Sequence, residues 1–119
     1  MRVKTINLPI YDLDIVVIIN DWVEANKRLK LGIEDDDLMN AQAWSIENFV
    51  DTRGELYLLY RDGFLDNGTL IHEIVHCVLE ICDNRGIVVD FQNQEPVTYL
   101  AGYIGEQVFA VVEKYKQGR

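Results

Sequence analysis

The stretch from Thr69 to Asp83 constrains the fold more than any other part of this 119-residue chain. It follows the turn residues Asp66-Asn67-Gly68 and closes on Asn84-Arg85-Gly86, so it reads as one helix with Asp66 or Asn67 as N-cap and a glycine stop. Ile74, Val75, Val78, Leu79 and Ile81 make it apolar around most of its circumference, which demands cover from other elements. The chain's two histidines, His72 and His76, also lie here, with Glu73 directly after the first.

The cover comes from both sides in sequence. Val3 to Leu8 and Ile15 to Asn20 are rich in β-branched residues and read as two strands around Pro9 and two aspartates, the second apolar enough to be buried on both faces. A short amphipathic helix is expected from Asp21, with Trp22, Val23, Leu29 and Leu31 as its apolar positions and Gly32 as its stop. Ala41 to Phe49 and Glu55 to Tyr60 flank the turn cluster Asp51-Thr52-Arg53-Gly54 and read as an antiparallel hairpin. After the Thr69 helix, Ile87 to Phe91 is a short apolar link, and a long helix is expected from about Gln94 to Tyr115, with Pro96 harmless in its first turn. The fold class is therefore α+β: a small, mostly antiparallel sheet with the two last helices packed on one side.

The length suits one core, so residues 1–119 are expected to form a single domain. A net charge of -9 repels phosphate backbones and anionic lipid, which excludes nucleic acid and membrane surfaces as partners. No run approaches a membrane span and the first residues lack a signal-peptide pattern, so a soluble cytoplasmic protein is expected. Glu34-Asp35-Asp36-Asp37 lacks the ligand spacing of a calcium loop and reads as a solvated loop. Cys77 and Cys82, five apart on one helix, are awkward disulfide partners and read as reduced core residues.

Two histidines four apart turn through about 400° of helix, so both imidazoles project from one face at a separation suited to sharing zinc. Glu73, about 100° round from His72, can reach a water on that metal without ligating it. The plain alternative is two solvated histidines beside an acid; the apolar circumference argues instead that the histidine face is covered, where unpaired imidazoles need partners. A third ligand is still required. Cys82 lies about 240° round from His76 and faces away, so a glutamate of the last helix is the better source. Glu95 is favoured over Glu106, with Asp83 and Asp90 further behind. Glu95, Tyr99, Gly102 and Glu106 form one stripe of that helix, expected to face the motif helix, and Gly102 and Gly105 suggest close helix approach. Tyr99, on this stripe, is a candidate oxyanion donor or else a packed core tyrosine.

His72-Glu73-Ile74-Val75-His76 followed by Asn93 to Tyr103 resembles the minimal gluzincin metallopeptidases, or minigluzincins, and similar small phage and prophage proteins. The likeness covers roughly the last 55 residues. It implies Zn2+ on His72, His76 and Glu95, Glu73 as catalytic base, a peptide or protein substrate, and a zincin-like sheet ahead of the motif helix. A second expectation, from a different class, is a zinc-stabilised, non-catalytic binding or inhibitory module, for which Glu73 would have no use.

Overall fold

The computed structural model describes residues 3–21, 27, 43–48 and 54–118, with 43–48 described by backbone alone. The expected helix after Asp21, apart from Asp21 and Lys27, and the acidic run from Glu34 lie outside the described residues.

Four strands form one mixed sheet in the order β1-β2-β4-β3. Val3–Leu8 (β1) pairs antiparallel with Leu13–Ile19 (β2), from Val3 opposite Ile18 to Leu8 opposite Leu13. A single 3-10 turn, Pro9–Tyr11, joins them and ends at Asp12, whose φ of 49° lies in the left-handed region that aspartate tolerates. Ala43–Asn48 (β3) and Gly54–Tyr60 (β4) form the expected antiparallel hairpin. The central pairing is parallel: Leu13 to Ile19 run in register with Gly54 to Tyr60. Two of the three pairings are thus antiparallel, as expected, and the parallel one joins the two halves.

Alternation along the strands sorts their side chains by face. Ile15, Val17 and Ile19 of β2 and Leu56, Leu58 and Tyr60 of β4 point into the main core. Val16, Ile18, Tyr57 and Leu59 form a second buried cluster on the opposite face, so β2 is buried on both sides as its composition implied. Such double-sided burial suits the parallel strands at the sheet's centre.

Two helices cover the main-core face. The first, Asn67–Asn84 (α1), starts where the Asp66 side chain accepts a hydrogen bond from the Thr69 backbone N–H at 3.0 Å and a second from its hydroxyl at 2.8 Å. These bonds hold the Asp66 carboxyl below its ordinary pKa. The helix ends as Gly86 takes a φ of 70° and the Ile87 N–H returns to the Cys82 carbonyl. Leu70, Ile74, Cys77, Val78, Ile81 and Cys82 face inward, and both thiols are free and buried. The second helix, Glu95–Gly118 (α2), buries Leu100, Ile104, Val108, Val112 and Tyr115.

The helices run antiparallel. Lys116, near the end of α2, donates to the Leu65 carbonyl just before α1. At the other end, Arg85 donates to the carbonyls of Tyr11 and Asp12, while Tyr99, Leu100 and Tyr103 lie against the Leu8 to Tyr11 corner. Among the described residues no helix is long and apolar enough to cross a membrane.

Candidate metal centre

His72 and His76 come together as the helical spacing requires: their ring centroids are 4.9 Å apart and the rings meet edge to face. The face that carries them differs from expectation, because both histidines are exposed. The inward arc of α1 is filled by its aliphatic and cysteine positions, and apolar burial there outweighs anything two polar rings could offer. Val75 and Leu79, also expected to be covered, stay 45% and 42% exposed beside them, as does Ile71 at 51%.

Glu73 has the opposite setting. It is the one buried charged residue among those described, 9% exposed at the edge of the inward arc. Its neighbour is Tyr60, the last residue of β4, whose phenol donates to the Leu70 carbonyl one turn up the helix at 3.2 Å. Burial, then the charges of Glu73 and Cys77, push the Tyr60 phenol well above its ordinary pKa, so it stays a neutral donor. Cys77 is likewise pushed up, to about 12, by burial and by Glu80. Tyr60 is not legible in the sequence, because a terminal strand tyrosine carries no local sign that a helix residue ten positions on will pack against it.

The donor set for zinc is half assembled. Imidazole nitrogens one helical turn apart are suitable ligands, and among the described residues neither ring has a hydrogen-bond partner that would compete with a metal. No group of three or more His, Cys, Asp or Glu side chains that could hold a metal occurs among the described residues. Glu95, the first residue of α2, is exposed, as are Tyr99, Gly102 and Glu106. The stripe expected to face the motif helix is therefore the solvent face of α2; the Leu100 to Tyr115 stripe packs inward because it holds the larger aliphatic area.

A Cβ at Gly102 or Gly105 would meet nothing within 4 Å, so neither glycine marks close approach. Tyr99 is 65% exposed and lines a concavity of about 230 Å³ with Pro9, Ile10 and Tyr11. It is therefore not a packed core residue, and its groove is not lined by either histidine.

The antiparallel register bears on the choice of glutamate. With Lys116 beside Leu65 at one end, and Arg85 and Tyr99 both beside Tyr11 at the other, a rise of about 1.5 Å per residue brings Glu106 closest to the height of His76 and leaves Glu95 about 16 Å further along. Comparison with known proteins finds no matching family model, no matching curated protein and no matching solved structure.

Proposed function

We propose that the chain is a zinc-dependent peptidase, with His72 and His76 as metal ligands, a carboxylate of α2 as the third, and Glu73 as general base. The observation that carries this reading is the contrast within one helical turn: two exposed, adjacent imidazoles, and beside them a buried carboxylate with no hydrogen-bond partner among the described residues. A carboxylate held out of water without a partner is costly, and a catalytic base is a reason to keep one. Zinc held there would act as a Lewis acid and bring the pKa of a water towards about 7. Glu73 would be the group that accepts a proton from water and returns it to the leaving amine of a cleaved peptide bond. Tyr60 holds the turn of α1 from Leu70 to Glu73 against the end of β4, which keeps Glu73 in place. Tyr99 as oxyanion donor is supported only by its place one turn beyond Glu95 on the same stripe.

The resemblance implies Glu95 as third ligand; the helix register favours Glu106. The resemblance to phage proteins and the two reduced thiols are consistent with a cytoplasmic site of action.

Metal content by inductively coupled plasma mass spectrometry tests the proposal on wild type, Glu73→Gln, Glu95→Gln, Glu106→Gln and His76→Asn. About one zinc per chain is expected in wild type and Glu73→Gln, with loss in His76→Asn and in one of the two α2 variants. Cleavage of a peptide library should fall by about 10² to 10⁴ in Glu73→Gln while its zinc remains. A wild type that binds no zinc after reconstitution sinks the reading. Zinc without any cleavage by wild type would instead favour the binding module.

A further inference from the structure

We propose that the loop from Val88 to Gln94, with the first turn of α2, is a docking site for a basic, amphipathic segment of a partner protein. This inference does not require the metal reading, with which it shares only Glu95, and it concerns the opposite end of α1 from its N-cap.

The loop is the expected apolar link, but its side chains are not buried. Val88 is 63% exposed, Val89 50% and Phe91 91%. A mobile loop could expose such residues at little cost, yet this one is hydrogen-bonded into a hook. The Asp90 side chain accepts from the Gln92 N–H at 2.9 Å, and the Asn93 N–H donates to the Asp90 carbonyl at 3.1 Å. The Asn93 amide donates to the Val88 carbonyl at 2.6 Å and the Gln94 amide to the Phe91 carbonyl at 2.9 Å. The hook is therefore ordered before any partner arrives, and its apolar side chains are held ready for contact.

Behind Phe91 lies a concavity of about 500 Å³, lined by Val89, Asp90, Phe91, Gln94, Val97 and Thr98. Its walls are apolar with a few polar groups, the make-up of a pocket that takes one or two apolar side chains. Across α2, Ile10, Tyr99 and Tyr103 extend the exposed apolar surface at this end of the molecule.

Charge selects the occupant. From Gly86 to Glu106 the chain carries Asp90, Glu95 and Glu106 and no Lys, Arg or His. A second copy would bring the same carboxylates to the same patch, on a chain whose net charge is -9. An anionic membrane is opposed on the same ground. A segment with one or two large apolar residues flanked by Lys or Arg fits both features: its apolar side chains enter the concavity and its cations meet Asp90 and Glu95.

The test is a titration of the isotopically labelled full chain, followed by amide chemical shifts, with three synthetic peptides. These are a Lys/Leu amphipathic helix, its Glu/Leu counterpart, and a Lys/Ser peptide of the same charge as the first. Only the Lys/Leu peptide should saturate, with shifts centred on residues 88–98. Phe91→Ser should weaken it about tenfold or more while leaving the rest of the spectrum in place, as truncation of a central aromatic anchor does. Asp90→Asn should weaken it several-fold and flatten its salt dependence. Equal binding of the Glu/Leu or Lys/Ser peptide, shifts centred elsewhere, or undiminished affinity in Phe91→Ser would overturn the proposal. So would a dimer in sedimentation equilibrium that Phe91→Ser dissolves, because the occupant would then be a second copy.

Discussion

Both helices contribute to the core, but they contribute unequally to the chemistry. Both lie on one face of the sheet and each buries an aliphatic stripe. Yet α1 brings two imidazoles and a carboxylate into little more than one turn, whereas α2 spreads its carboxylates along its solvent face. Residues four apart on a helix meet through backbone geometry alone, before any tertiary contact forms. A ligand from a second helix depends on how far that helix has slid and turned against the first, and that is set by packing across the whole core. A motif inside one helix is thus robust in a way that a ligand set shared between two is not.

The largest effect should test the core that the two helices share. Ile81→Ala on α1 and Ile104→Ala on α2 both empty positions that are 0% exposed, and each should cost about 2–5 kcal/mol in urea unfolding. A cost under about 0.5 kcal/mol for Ile104→Ala, the range of surface substitutions, would break the comparison by removing α2 from the core.

Tyr60→Phe comes next, and sharpens the account of why α1 sits as it does. Loss of the phenol bond to Leu70 should cost about 1 kcal/mol near neutral pH. Because the folded state raises the phenol above its ordinary value of 10.0, wild-type stability is full below pH 10 and declines as pH rises further, where the unfolded chain releases a proton that the folded one keeps. That alkaline decline should be shallower in Tyr60→Phe, measured by denaturant unfolding between pH 9 and 11; an unchanged slope would place its origin elsewhere.

The smallest effect has the opposite sign. Gly102→Ala, on the open face of α2, should raise stability by about 0.5–1 kcal/mol, since the new methyl meets nothing and helix propensity improves. A loss would mean that the glycine is needed for close packing after all.

The described elements were legible in the sequence, because Asp66, Gly86, Pro9 and the β-branched runs mark their ends through local physics. The histidine pair was legible for the same reason. The exposure of that pair was not: on a helix with so many aliphatic positions, only the sheet decides which arc is covered, and it took Leu70, Ile74 and Ile81 while leaving Ile71 and Val75 out. The face of α2 was not legible either: the Leu100 to Tyr115 stripe, with the larger aliphatic area, packs inward and leaves the Glu95 to Glu106 stripe in solvent. The hook at Val88 to Gln94 had a visible signal in Asp90 and Asn93, both formers of side-chain turns, but nothing local says that Phe91 will stay in water.

The parallel register of β2 with β4 sets an order of assembly. It joins residues about forty positions apart, while β1 meets β2 across one tight turn and β3 meets β4 within a hairpin, so its loop closure carries the larger entropy cost. The two antiparallel pairs should form early and the central union late. Helix α1 rests on β4 through Tyr60, and the main core beneath it is complete only when β2 arrives. The surroundings of Glu73 are therefore among the last parts of the molecule to become native, and any chemistry that depends on them should switch on only as folding finishes.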